Sequence, residues 1–138
     1  MKRILTTAAF LFSLLTSHTV VAQCLEYEPK VVRLPGVLLR ETYPGRPNYE
    51  SIKKGDEAET IWVLRLKKRI CVSSSFDAIN VSEKNQKKIQ LVLEPAQYKR
   101  YRKLLWQKVI VTGTLLHMHT GHHHKRVLLT TLRIQKNA

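Results

Sequence analysis

The chain has 138 residues, and its 24 Lys and Arg stand against ten Asp and Glu for a formal net charge of +14. That length argues against a multidomain assembly and suffices for one modest core. The charge excludes an acidic surface and favours anionic partners such as acidic glycans, lipid headgroups, acidic proteins or nucleic acid.

Residues 1–22 read as a secretory signal peptide. Lys2 and Arg3 form a positive start, Ile4 to Leu15 an apolar run, and Val20-Val21-Ala22 small residues before a cut after Ala22. The apolar run is shorter than the ~20 residues a membrane span requires, and no later stretch approaches that length. The mature chain, residues 23–138, is expected to be a single domain in the periplasm or secreted. Loss of Lys2 and Arg3 takes the charge from +14 to +12. Cys24 and Cys71 are the two cysteines. In an oxidising compartment they are expected to pair, and a loop of this length corresponds to about 4 kcal/mol of chain entropy.

Lys30 to Glu41 reads as a strand with a bulge or bend at Pro35-Gly36. Tyr43 to Tyr49 carries two prolines and Gly45 and reads as a loop; Lys53 to Asp56 reads as a turn. Thr60 to Lys67 alternates, with Ile61, Val63 and Arg65 on one face and Trp62, Leu64 and Leu66 on the other. Arg69 to Val72 is short and extended, Ser73 to Glu83 turn-rich, and Lys88 to Glu94 a third main strand. Then the period changes. Glu94-Pro95 opens a helix reaching Leu105, with Tyr98, Tyr101, Leu104 and Leu105 inward and Lys99, Arg100, Arg102 and Lys103 outward. Lys108 to Thr120 and Lys125 to Gln135 complete the strands. Trp62, Trp106, Leu64, Leu91, Val111 and Leu129 are expected in the core.

Five strands with a helix between the third and fourth is the order of a small OB-like barrel. A β-sandwich, or an open sheet with a packed helix, shares that order.

Several motifs carry a resemblance. Cys24-Leu-x-Tyr27, Tyr43-Pro-Gly-x-Pro-Asn-Tyr49, Gly55-Asp56, the Trp62 to Leu66 strand, Ile70-Cys-Val72, Val109-x-Val-Thr-Gly-Thr-Leu115 and Thr120-Gly-His-His-His124 together resemble the exported bacterial family called domain of unknown function 4431. The resemblance implies an exported bacterial protein with a disulfide and carries no activity. The family pattern places Thr after the third His, where this chain has Lys125. In a bacterial protein the glycosylation-like triplet Asn80-Val-Ser82 is expected to be a chance match.

Five of the six histidines lie between His117 and His124. On a strand, His117 and His119 share a face, and His122, His123 and His124 follow Gly121 in the turn. A surface site for Zn or Cu built from His117, His119, His122 and His124 is one expectation, since neutral imidazole suits both metals. The other is a polar turn whose histidines hydrogen-bond backbone and cap the open end of the barrel. The second constellation is basic: Lys99, Arg100, Arg102 and Lys103 on the helix, with Lys67, Lys68, Arg69, Lys84, Lys87 and Lys88 elsewhere. With exposed Tyr43 and Tyr49 it suits an anionic ligand. Nucleic acid is not expected outside the cell, so the favoured partner is an anionic envelope component or protein, bound by a monomer. An enzyme is not expected. The acidic residues show no carboxylate pair, Ser73-Ser74-Ser75 lacks a nucleophile-elbow context, and nothing places Asp56 or Asp77 against a histidine. The remaining alternative is an inhibitor or immunity partner of a secreted toxin.

Overall fold

The computed structural model describes residues 23–74 and 81–138. The expected signal peptide, Ser75, Asp77 and Asn80 lie outside the described residues. In chain order the elements are β1 (Leu25–Glu26), β2 (Val31–Pro44), β3 (Ala58–Ser73), β4 (Glu83–Val92), α1 (Pro95–Tyr101), β5 (Lys108–His117) and β6 (Val127–Lys136). Short 3₁₀ turns occupy Ile52–Lys54 and Arg102–Leu104.

β2 pairs with β3 and with β5, β5 with β6, β6 with β4, and β4 with β3, so five strands close a ring. The ring pairings are antiparallel except that of β4 with β6. α1 lies between the third and fourth strands of the ring. The fold is therefore mainly β, barrel-like and OB-like, as the order of elements predicts. β1 is an addition that the sequence does not announce; it runs parallel to β3 through Leu25↔Val72.

Tertiary pairing extends strands past their local signals. Tyr43 and Pro44, expected in a loop, pair with Glu59 and Ala58. The two extended pieces expected at Thr60–Lys67 and Arg69–Val72 form one strand, with register shifts against β4 on either side of Ile70. The expected interruption at Pro35-Gly36 is instead a change of partner. Val31–Val37 pairs with β5 and Gly36–Pro44 with β3, and neither ladder shifts register. Gly36 is required because a Cβ there would lie 2.5 Å from the Arg65 carbonyl oxygen. A bulge falls elsewhere. Thr112 faces Arg133 while Gly113 faces Thr131, which leaves Leu132 without a partner and 60% exposed. A Cβ on Gly113 would meet the Thr130 carbonyl oxygen at 2.0 Å.

Trp62, Leu64, Leu91, Val111 and Leu129 enter the core beside Tyr27, Leu38, Ile89, Val109 and Leu115. Tyr101 is buried there, and Tyr98, Leu104 and Leu105 pack against it, so the inward face of the helix is as expected. Glu94 N–H donates to Gln97 Oε1 at 2.9 Å, and Gln97 Nε2 donates to the Thr131 carbonyl at 2.9 Å, tying the helix start to β6. Trp106 is the exception to the expected core. It is 62% exposed. It follows the 3₁₀ turn with φ 69°, and its N–H donates to the Leu38 carbonyl at 2.7 Å, so this turn delivers the indole to solvent rather than to the core.

Cys24 and Cys71 form the expected disulfide, closing 47 residues of chain. Replacing both by Ser should lower the free energy of unfolding by about 2–4 kcal/mol. Urea unfolding checks this, and a change within error of zero would contradict it.

Candidate functional site

The histidine segment is a loop, residues 118–126, between the end of β5 and the start of β6. It folds back over the outer surface of β3 and β4. Gln90, buried on β4, holds it at two backbone points: its Nε2 donates to the His122 carbonyl at 2.9 Å, and its Oε1 accepts from His124 N–H at 2.7 Å. Beneath lie Ile61, Val63 and Leu128, all buried yet outside the main core cluster. Ile61 and Val63 occupy the face of β3 opposite Trp62 and Leu64, as the alternation predicts. The loop therefore covers a second, smaller apolar surface.

Three carboxylates pin this region. Glu59 on β3 bridges His122 Nδ1 at 2.6 Å and His124 Nε2 at 2.8 Å. Burial opposes its charge, but hydrogen bonds from His124 and His122 prevail and hold its pKa below the usual carboxylate value. Glu41 on β2 pairs with Lys125 at 2.8 Å and with Lys88, and accepts from the Tyr43 hydroxyl. Burial again opposes its charge, yet Lys125, Lys88 and Tyr43 together lower its pKa to about 2. Glu83 on β4 meets His117 Nε2 at 2.9 Å and Arg126 at 3.5 Å. Nearby, burial and then the charge of Glu83 push the Tyr27 phenol up to about 12.

Aromatic packing completes the arrangement. The Tyr43 ring stacks on His124 with centroids 4.5 Å apart, and Tyr49 meets His122 edge-on at 5.7 Å. Tyr43 and Tyr49 are thus half-buried loop supports rather than the free platforms expected. Asp56 does not pair with a histidine. It is buried and accepts from the amides of Asn48, Glu50 and Ser51 at 2.8–2.9 Å, organising the loop between β2 and β3. Those hydrogen bonds, Ser51 first, lower its pKa.

The four histidines proposed as ligands are divided. His122 and His124 meet on Glu59, and His117 turns to Glu83. His119 lies beyond the end of β5, so it does not share a strand face with His117. Its N–H donates to His123 Nδ1 at 3.0 Å, and the two rings pack edge to face at 4.6 Å. Burial, then the charges of His119, His122 and His124, lower the His123 pKa. Among the described residues, no group of three or more His, Cys, Asp and Glu side chains is arranged to hold a metal ion. The Glu41, Glu59, Glu83 and Gln90 roles escape sequence reasoning because each depends on cross-strand register. The one local signal was that Glu59 precedes Ile61 and Val63 at strand spacing, and so shares their face.

Lys99, Arg100, Arg102 and Lys103 are all exposed, as expected. Among the described residues the ion pairs of Lys and Arg engage Lys88, Lys125 and Arg126, and none of the four helix cations. No helix among the described residues is long and apolar enough to cross a membrane.

These features define a small OB-like barrel with a carboxylate-latched histidine loop and an uncompensated basic helix. Residues 88–135 match the model of a family described as Domain of unknown function (DUF4431), a span from β4 through β6 that contains both features. The chain is similar to that family there, as its motifs indicate. No curated protein and no solved structure gives a significant match. Lys125 makes the Glu41 ion pair and a hydrogen bond to Tyr43.

Two predictions follow from the latch. Gln90→Leu leaves two part-buried backbone groups without their side-chain partner, which costs about 1–2 kcal/mol. Amide exchange across residues 118–126 should accelerate in this variant while the β2–β3 ladder stays protected; unchanged loop exchange would contradict the latch. Glu41 has a lowered pKa when folded, so its contribution is present above about pH 4.5 and is lost as pH falls toward about 2. Glu41→Gln should therefore cost on the order of 1 kcal/mol at pH 7, allowing for partial solvent screening, and progressively less below about pH 4. Thermal unfolding of both proteins across that range checks the convergence.

Proposed function

We propose that this protein is an exported, non-enzymatic binding module for an anionic partner of the cell envelope, held by Lys99, Arg100, Arg102 and Lys103. The observation that carries the reading is the absence of ion pairs to those four exposed cations among the described residues, while Glu41, Glu59 and Glu83 are engaged at the histidine loop. Four unpaired cations on about one and a half turns of chain focus a positive potential that an anionic surface relieves. The export reading draws on the disulfide, which an oxidising compartment permits, and on the signal-like character of residues 1–22. The histidines serve the fold in this reading. Their partners are carboxylates, backbone groups and one another, and they secure the loop over the barrel wall.

Co-sedimentation with vesicles that carry an anionic lipid, against purely zwitterionic vesicles, tests the proposal. Each Lys or Arg near such a surface contributes about 1 kcal/mol. Replacing all four by Gln should weaken binding to anionic vesicles by at least about tenfold, and binding by the unaltered protein should fall steeply between low and physiological salt. Equal binding by the variant, insensitive to salt, would overturn the proposal.

A further inference from the structure

Away from the helix, Arg65, Lys67, Lys87 and Lys108 surround a groove of about 350 Å³ whose apolar floor includes Val37 and Leu66. Arg65 and Lys67 come from β3, Lys87 from β4 and Lys108 from the start of β5, so three ring strands converge their cations on one depression. Lys87 Nζ donates to the Lys67 carbonyl at 2.9 Å, which fixes one ammonium at the rim. None of the four cations forms an ion pair among the described residues.

Trp106 is outside the lining of this groove, but its backbone adjoins two residues that line it. Lys108 lies two residues on, and Trp106 N–H donates to the carbonyl of Leu38, the neighbour of Val37. The indole is 62% exposed, whereas Trp62 is buried. Its backbone holds φ 69°, a left-handed conformation that a bulky residue adopts at a cost and that Gly or Asn adopts easily. A single exposed aromatic is ordinary. A large aromatic on a strained turn between the cations of the helix and those of the groove is a specific arrangement, and strain of this kind concentrates where a side chain is displayed for a purpose.

The geometry points to an anionic saccharide as the ligand of this groove: its charged substituents lie among Arg65, Lys67, Lys87 and Lys108, and the C–H face of a sugar ring packs on the Trp106 indole. The negative face of the indole suits the weakly positive C–H face of a sugar. The cations alone would accept inorganic anions, and the indole is what adds the ring. A nucleobase would also stack on an indole; the saccharide is favoured because the inference rests on the reading of the protein as an exported module.

Calorimetry with a heparin-derived hexasaccharide tests this, with maltohexaose, inorganic sulfate and a single-stranded deoxythymidine hexamer as comparison ligands. Three variants separate the surfaces: Trp106→Asn, which suits the left-handed backbone while removing the indole, Lys67→Gln/Lys108→Gln, and Lys99→Gln/Arg100→Gln. The hexasaccharide should bind more tightly than sulfate or maltohexaose. The first two variants should weaken it by about tenfold or more and the helix variant by less than about threefold, consistent with loss of stacking and of paired charge contacts. Loss confined to the helix variant would overturn the groove and leave the helix reading standing. Absence of hexasaccharide binding, with anionic vesicles still bound, would overturn the saccharide alone, and failure of both ligands would overturn both readings. Tighter binding of the deoxythymidine hexamer than of the hexasaccharide would replace the saccharide with a nucleic acid.

Discussion

A chain with 24 Lys and Arg and ten Asp and Glu cannot neutralise its own surface, so the placement of its few carboxylates governs the rest of its electrostatics. Glu41, Glu59 and Glu83 sit on three successive strands of the ring and all face the histidine loop or its flanks. Each gathers two or more positive or ionisable partners. The loop is thereby held over Ile61, Val63 and Leu128, surface that would otherwise be wet. Many cations are left without acids among the described residues, and those on α1, on its 3₁₀ extension and around the groove rimmed by β3, β4 and β5 are among them. The same shortage that makes the loop end tightly cross-linked leaves the helix end of β5 electropositive.

Which parts of this were legible follows from the range of each signal. The change from strand alternation to helical spacing at Glu94-Pro95 is local, and the helix with its basic outer face stands where that change places it. The inward set of β3 and the disulfide are likewise read from alternation and compartment. Register is not local. Nothing in the segment around Glu59 tells that His122 and His124, more than sixty residues on, will arrive above it, and nothing near Gln90 tells that its amide will hold a loop backbone. The proposed metal site put His117 and His119 on one extended strand; β5 ends at His117, and the chain turns there because the loop is drawn toward Glu59 and Gln90. Trp106 was assigned to the core by residue type, a rule that the left-handed turn after Leu105 overrides.

Lys125 shows how a single position tunes the latch. It reaches both Glu41 and Tyr43, lies over the Tyr43 ring at 4.9 Å, and carries a raised pKa: burial opposes its charge, and Glu41 and Tyr43 outweigh that effect. Tyr43 in turn stacks on His124, so the lysine reinforces the loop from the side opposite Glu59. The loop and the basic surface lie at opposite ends of β5, the ten-residue strand that runs from Lys108 to His117. The division is therefore spatial as well as chemical: the carboxylates engage the loop at one end, and the helix and groove cations at the other have no acidic partner among the described residues.

Backbone amide chemical shifts during titration with an anionic ligand test that division most directly, because one experiment reports both ends of β5 together. With the heparin-derived hexasaccharide, the account predicts that the changes concentrate in residues 106–108 and around Arg65, Lys67 and Lys87, with residues 118–126 nearly unmoved. Changes concentrated in residues 118–126, with 106–108 and Lys67 silent, would contradict it.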